Sequence, residues 1–201
     1  MAWDKLADDK TVEKVAETLR GKGIEVVIAK NGKEALTRLL ESIPEGSEML
    51  TATSTTVDQI GGTQELNDSG RFRSQRKAIN EASDEKERLR LRKLSAITQY
   101  VTGSVHAVTE DGRLVVATAS GSQIPPYSYT AEHVVFVVGT QKIVRDLPSA
   151  LKRIEEYTVP LEEQRMRKNY GIGTSLNQIL IINKSMPGRI KLIFVKEKLG
   201  F

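Results

Sequence analysis

Residues 134–142, VVFVVGTQK, are the clearest indication of fold class in this chain. The first five of these residues are apolar without interruption, which is typical of a strand that is covered on both faces inside a parallel sheet. Gly139, Thr140, Gln141 and Lys142 follow that strand directly. Loops at the carboxyl ends of strands bind ligands in open α/β sheets, so these residues are the first candidates for a site.

Helix and strand patterns alternate around this run. The periodicity predicts helices at 12–19, 36–43, 147–154 and 160–168, and strands at 24–29, 49–52, 100–109, 114–118, 178–183 and 190–195. The last two strands flank Pro187-Gly188 and predict a C-terminal β-hairpin. Residues 71–97 are polar and helix-prone, with a sparse apolar face, and predict a peripheral helical arm.

These elements together predict an α/β fold. We expect an open, mostly parallel sheet with helices on both faces, the peripheral polar arm and the C-terminal hairpin. A chain of 201 residues with 39% apolar residues is long enough to bury one substantial core, so we predict a single domain over residues 1–201.

Composition narrows the chemistry that the chain can perform. With no cysteine it has no disulfide, thiolate nucleophile, cysteine-ligated zinc or iron–sulfur cluster, and two histidines are too few for an all-histidine metal site. We therefore predict no metal and no cofactor held within this chain. No apolar run of about 18 residues is present and the N-terminus does not resemble a secretory signal, so we expect a soluble cytoplasmic protein.

The net charge of +4 comes from one segment. Residues 71–93 carry nine Lys or Arg against four Asp or Glu, a local charge of +5, which leaves the rest of the chain at −1. Acids and bases alternate there, as on a solvated helix, whereas a nucleic-acid-binding arm usually carries a denser block of one sign. Nucleic-acid binding, or a regulatory role, is therefore a hypothesis that only this arm supports.

Four stretches carry a resemblance to a known family: VTGSVHAVTEDGRLVVATASG (101–121), VVFVVGTQKIVRDLPSALKRI (134–154), PLEEQR (160–165) and GRIKLIFVKEKLGF (188–201). In this order they resemble the LUD, or lactate-utilisation, domain family in its short accessory form. The resemblance implies a fold like that of ribose-phosphate isomerases and CoA transferases. It also implies a non-redox accessory role in lactate or related hydroxy-acid oxidation, beside an iron–sulfur partner protein.

Polar residues and glycines in the loops predict a site for a small anionic ligand, such as a carboxylate, a CoA ester or a phosphate. Each group has a structural alternative. Hydroxyls that open a helix also serve as N-caps, glycines between strands also serve turns, and arginines also tie helices together. The candidate ligand-binding residues are Thr53, Ser54, Thr55, Gly103, Ser104, Gly121, Gly139, Thr140, Lys142 and Arg165.

The second hypothesis is an acyl-CoA or phosphosugar-handling enzyme. Glu110 precedes Asp111-Gly112 much as the nucleophilic glutamate precedes glycine in CoA transferases, so Glu110 and Lys142 are its candidate catalytic residues, and they must share one pocket. The alternative for Glu110 is a solvated hairpin turn. His106 is interpreted as the partner of a backbone group, and Arg153 as a structural arginine.

Overall fold

The computed structural model describes residues 3–201, and within them the chain forms ten strands and eight α-helices. The strands are β1 (Ile24–Ala29), β2 (Glu48–Thr51), β3 (Arg73–Ser74), β4 (Tyr100–Gly103), β5 (Ala107–Thr109), β6 (Leu114–Thr118), β7 (His133–Gly139), β8 (Ile143–Val144), β9 (Gln178–Ile182) and β10 (Ile190–Val195). The helices are α1 (Asp9–Arg20), α2 (Gly32–Glu41), α3 (Thr55–Gln59), α4 (Gly62–Asp68), α5 (Gln75–Asn80), α6 (Glu85–Leu94), α7 (Leu147–Arg153) and α8 (Val159–Tyr170).

The central sheet has six strands in the order β1-β10-β7-β4-β2-β3, and all of its pairs are parallel. β7 lies between β10 and β4, with Val134 beside Ile190 and Val101. Residues 134–138 are all buried. The prediction of an interior parallel strand from an unbroken apolar run is thus confirmed.

Helices cover both faces of this sheet, and the alternation of β7 shows why. Val134 and Phe136 pack in one core with the apolar stripe of α1, while Val135 and Val137 pack in a second core with α2. Successive side chains of a strand point to opposite faces, so an uninterrupted apolar strand needs cover on both. The stripe of α1 consists of Val12, Val15, Ala16 and Leu19, all fully buried.

A smaller mixed sheet, in the order β8-β5-β6-β9, packs beside the first. The apolar stretch at 100–109 is divided between the two sheets: β4 belongs to the central one and β5 to the smaller one. β5 and β6 are antiparallel and joined through Asp111-Gly112, where Gly112 has a φ of +77°. The Asp-Gly pair therefore forms the hairpin turn that its sequence favours.

The predicted C-terminal hairpin is wrong. β9 pairs antiparallel with β6 in the smaller sheet, while β10 enters the central sheet parallel to β1 and β7. Burial explains the separation. Five of the six residues of β10 are buried, as an interior strand requires, whereas β9 is mostly exposed or half-buried, as suits the edge of a sheet.

Residues 71–97 form a peripheral and largely polar arm, as predicted. It consists of the short edge strand β3 followed by α5 and α6, and α6 has no buried residue. Leu89 and Leu94 are about half exposed. Ile79 of α5 is buried, and α5 packs on β2. None of the helices within residues 3–201 combines the length and apolar character needed to cross a bilayer.

Candidate functional site

A cavity of about 840 Å³ opens where the loops after β2, β4 and β7 meet. The carboxyl ends of parallel strands lie at one edge of a sheet, so their loops converge there. The arm closes one side of the cavity, and α8 together with the end of β6 closes another. This position is the one that the sheet topology predicts for a ligand site.

Lys142 is at the centre of this arrangement. It ends the 3₁₀ turn that follows β7 and is only 2% exposed. Its Nζ donates hydrogen bonds to Thr56 Oγ1 at 2.9 Å, to Ser104 Oγ at 3.1 Å and to the Val105 carbonyl at 3.2 Å. Three segments that are distant in sequence are thereby joined at one ammonium group.

The charge of Lys142 is not balanced by an ion pair. Ion pairs among residues 3–201 do not include it, and its three hydrogen-bond acceptors are neutral. Burial, with a smaller contribution from the positive charge of Arg153, lowers the pKa of Lys142 to about 7. Near neutral pH its amine is therefore divided between the charged and the neutral form, and a bound anion would favour the charged one.

His106 lines the cavity beside Lys142. Its Nδ1 accepts a hydrogen bond from the Ala117 amide at 3.0 Å, so the neutral ring carries its proton on Nε2. Burial and then the charges of Lys142 and Arg153 lower the pKa of His106 to about 3. The interpretation of His106 as the partner of a backbone group is confirmed, and the ring also presents an N–H donor.

Arg153 stabilises the segment that carries His106. Its guanidinium is fully buried and donates to the His106 carbonyl at 2.6 Å and to Thr158 Oγ1 at 3.1 Å. It also lies 5.1 Å from the centre of the Tyr157 ring. Burial lowers the pKa of Arg153 to about 10, so it stays charged at neutral pH. These contacts agree with a structural role.

Two further arginines, Arg76 of α5 and Arg92 of α6, line the cavity from the arm. Sequence reasoning missed both by assigning the whole segment to a solvated face. A signal was present: Arg88 and Arg90 each have a glutamate three residues earlier and pair with it, while neither Arg76 nor Arg92 has an acid three or four residues away. Arg73, Lys86 and Lys93 also have no acid at these spacings, so the pattern alone does not single out the cavity arginines.

The structure gathers six of the ten predicted ligand-binding residues around the cavity. They are Thr53, Ser54, Thr55, Ser104, Lys142 and Arg165. Ser54 also caps α3, because its Oγ accepts from the Val57 amide. Arg165 is held by a two-fold contact with Glu162, at 2.7 Å for each nitrogen, and this pairing raises its pKa. Its charge is therefore already compensated within the protein.

The other four, Gly103, Gly121, Gly139 and Thr140, do not line the cavity. The three glycines are close-packed: a Cβ would meet Tyr127 Oη at Gly103, Gln178 at Gly121 and Gln141 at Gly139. Thr140 is 1% exposed. Their sequence positions beside the site reflect tight packing of the loops.

Glu110 lies away from the cavity. Its carboxylate pairs with Lys14 of α1 at 3.2 Å, and both side chains are substantially exposed, at 36% and 65%. The arrangement that the CoA-transferase hypothesis requires, with Glu110 and Lys142 in one pocket, is absent from the described residues.

A family model described as the LUD domain matches residues 12–195. The chain belongs to the LUD domain family. Among solved structures, this LUD domain is similar to a DUF162 family protein from Deinococcus radiodurans, with a TM-score of 0.60 and 9% identity over 95% of this chain and 99% of that one. At that identity the likeness shows the fold alone. The predictions of family and of fold class are confirmed.

A weaker likeness joins the LUD domain to eIF2B beta from Chaetomium thermophilum. Its TM-score is 0.32 at 14% identity, over 68% of this chain and 44% of that one, and it carries no argument. No curated protein matches the sequence.

Proposed function

We propose that this LUD-domain protein binds a small anionic ligand in the cavity at Lys142, as a non-redox accessory component of lactate or related hydroxy-acid oxidation. The observation that carries the proposal is the buried ammonium of Lys142 without a carboxylate partner. Burying an unpaired charge costs free energy, and an anion bound beside it offsets that cost.

The rest of the lining supports an anion with an organic body. Four basic side chains line the cavity against one acidic side chain, Glu162, which Arg165 already neutralises. Hydroxyls supply further donors, and apolar side chains such as Val105 and Met166 form part of the wall. A volume of about 840 Å³ is within the range of small-molecule sites.

In this role, electron transfer belongs to an iron–sulfur partner protein. Such clusters are held by cysteine thiolates, and this chain has none. The ligand would be the hydroxy acid, the oxo acid or a related anion, bound without turnover. Glu110 lies outside the cavity and pairs with Lys14, so the two residues that the enzyme hypothesis needs in one pocket are apart.

A thermal-shift measurement with lactate, pyruvate, acetyl-CoA and 3-phosphoglycerate tests the proposal. At a concentration 100 times its Kd, a ligand specific for the folded state stabilises it by about 2.7 kcal/mol. We expect at least one anion to raise the Tm of the wild type and to raise the Tm of Lys142→Met by clearly less. Lys33→Met, at an exposed position in α2, is the matched control and should respond as the wild type does. No shift with any anion, or equal shifts with Lys142→Met, would contradict the proposal.

A further inference from the structure

The cavity has a second cationic centre, formed by Arg76 and Arg92, which we call the arm pair. Arg76 is half-buried at the start of α5, and its Nε donates to the Thr51 carbonyl at 3.0 Å. Arg92 is in the last turn of α6 and is exposed. Both side chains line the cavity, from two different helices of the arm.

The arm pair has no counterion in the part of the chain that the structure describes. Neither guanidinium takes part in an ion pair with an Asp or Glu. Burial and, second, the positive charge of Arg92 lower the pKa of Arg76, as expected for two cations that line one cavity. Two like charges directed into one cavity are destabilising unless an anion lies between them.

The selection of arm residues that face the cavity reinforces this reading. Residues 71–93 contain nine basic and four acidic side chains, yet only Arg76 and Arg92 among them reach the cavity, and none of the acids does. α6 also carries Arg88 and Arg90, but these do not line the cavity and instead pair with Glu85 and Glu87. Asn80 and Ser95 add neutral polar groups to this side.

The arm pair and Lys142 approach the cavity from different directions. Lys142 follows β7, whereas α5 packs on β2, which is two strands away in the sheet. A single carboxylate can offset one of these centres but not both. The cavity is therefore suited to a ligand that carries two anionic groups at separate positions.

We propose that the arm pair binds a phosphoryl group, so that the ligand is a small phosphorylated carboxylic acid whose carboxylate faces Lys142. This inference rests on the proposed function, and it specifies the class of ligand. Guanidinium groups present planar forks of N–H donors that match phosphate oxygens, while an ammonium acts as a compact point charge. A phosphate dianion offsets the two charges of the arm pair, which a monoanionic carboxylate does not.

Calorimetric titration with glycerate, 3-phosphoglycerate and inorganic phosphate tests the assignment, because the first two compounds differ only by the phosphoryl group. A hydrogen bond to a charged group contributes about 1.5–3 kcal/mol, so we expect the wild type to prefer 3-phosphoglycerate to glycerate by about tenfold or more. Arg76→Gln/Arg92→Gln should lose that preference and keep its affinity for glycerate. The control Arg88→Gln/Arg90→Gln removes the same charge from two arm residues that do not line the cavity, and it should keep the preference.

Each other outcome overturns a defined part of the inference. Equal wild-type affinities for glycerate and 3-phosphoglycerate, or an equal loss of preference in the control, remove the phosphoryl site and leave an anion site at Lys142 intact. Inorganic phosphate that binds as tightly as 3-phosphoglycerate removes the carboxylic acid from the ligand class. If no anion stabilises the wild type at all, both proposals fail. Arg92→Gln alone, at an exposed position, should weaken the preference even if Arg76 is needed for folding.

Discussion

The ammonium of Lys142 donates a hydrogen bond to the hydroxyl of Ser104 over 3.1 Å, across 38 residues of sequence. The two residues follow β7 and β4, which are neighbours in the central sheet, so the contact closes the gap between two adjacent loops. Because the hydroxyl is neutral, the contact satisfies the donor without balancing its charge. The unbalanced charge leads to the first two predictions.

Lys142 should make the stability of the protein depend on pH between about 7 and 10.5. Its pKa falls from 10.5 in the unfolded chain to about 7 in the folded one, so in this window the unfolded state binds a proton that the folded state does not. Its contribution to the free energy of unfolding therefore rises with pH, by up to about 1.4 kcal/mol per pH unit, and is constant below the folded pKa. Urea unfolding of the wild type and of Lys142→Met at pH 6 and pH 9 measures this contribution of Lys142 to the free energy of unfolding.

From pH 6 to pH 9 the free energy of unfolding of the wild type should rise relative to that of Lys142→Met by about 2–3 kcal/mol. Lys33→Met, at an exposed site, serves as the control and should follow the wild type at both values. A difference between wild type and Lys142→Met that does not change with pH would show that the lysine keeps its ordinary pKa.

Anion binding should be accompanied by proton uptake at pH 8 and by almost none at pH 6. At pH 8 most Lys142 amines are neutral in the free protein, and a bound carboxylate favours the ammonium form. His106, with a pKa of about 3, and Arg153, with a pKa of about 10, keep their charge states over this range. Calorimetry with lactate in Tris and in HEPES reports the uptake as a buffer-dependent enthalpy. Identical enthalpies in the two buffers at pH 8 would exclude Lys142 as the group that titrates.

His106 should remain neutral from pH 8 to pH 5, with its proton on Nε2. The Ala117 amide occupies Nδ1, and burial opposes protonation of the ring. Nitrogen NMR of the imidazole rings distinguishes the two tautomers and the charged form, and His133→Gln assigns the signals because the chain has two histidines. Protonation of His106 between pH 6 and 7, or a proton on Nδ1, would contradict the hydrogen bond to Ala117.

Gly103→Ala should destabilise the protein, by about 1–3 kcal/mol, because the new methyl group meets the Tyr127 hydroxyl. Tyr127→Phe removes that hydroxyl, so the double variant should recover part of the loss. Gly21→Ala is the matched control: its Cβ has only ordinary contacts, the nearest at 3.5 Å, and should be tolerated. Urea unfolding of the four variants gives the coupling energy, and additive effects at 103 and 127 would show that the two residues do not touch.

The central strand, the alternation of helices and strands, and several helix starts were predictable because each depends on local pattern. Asn31 and Asp146 cap α2 and α7, because their side chains accept hydrogen bonds from backbone amides of the first turn, and both are residue types that favour this position. The partner of a strand does not depend on local pattern. β9 and β10 are close in sequence, but the turn at Pro187-Gly188 joins different sheets, and burial of β10 on both faces decided the pairing.

Some residues of the candidate site were likewise predictable from local sequence, and others were not. Lys142 and Ser104 were predictable because residues that follow buried parallel strands lie at one edge of the sheet. Arg76 and Arg92 were not, since their side chains reach the cavity only through the position of the arm on β2. Glu110 had a motif that suggested chemistry, but the β5–β6 hairpin directs it toward α1 and Lys14.

The fold class, the interior position of β7 and the family follow from hydrophobic periodicity and residue order, which are properties of the chain alone. Which charges share the cavity, and which of them lack a counterion, depends on how the chain folds in three dimensions. Whether a lysine or arginine is compensated depends on side chains brought near it by the packing of distant segments. Coulombic interaction falls with distance in space and is indifferent to separation in sequence.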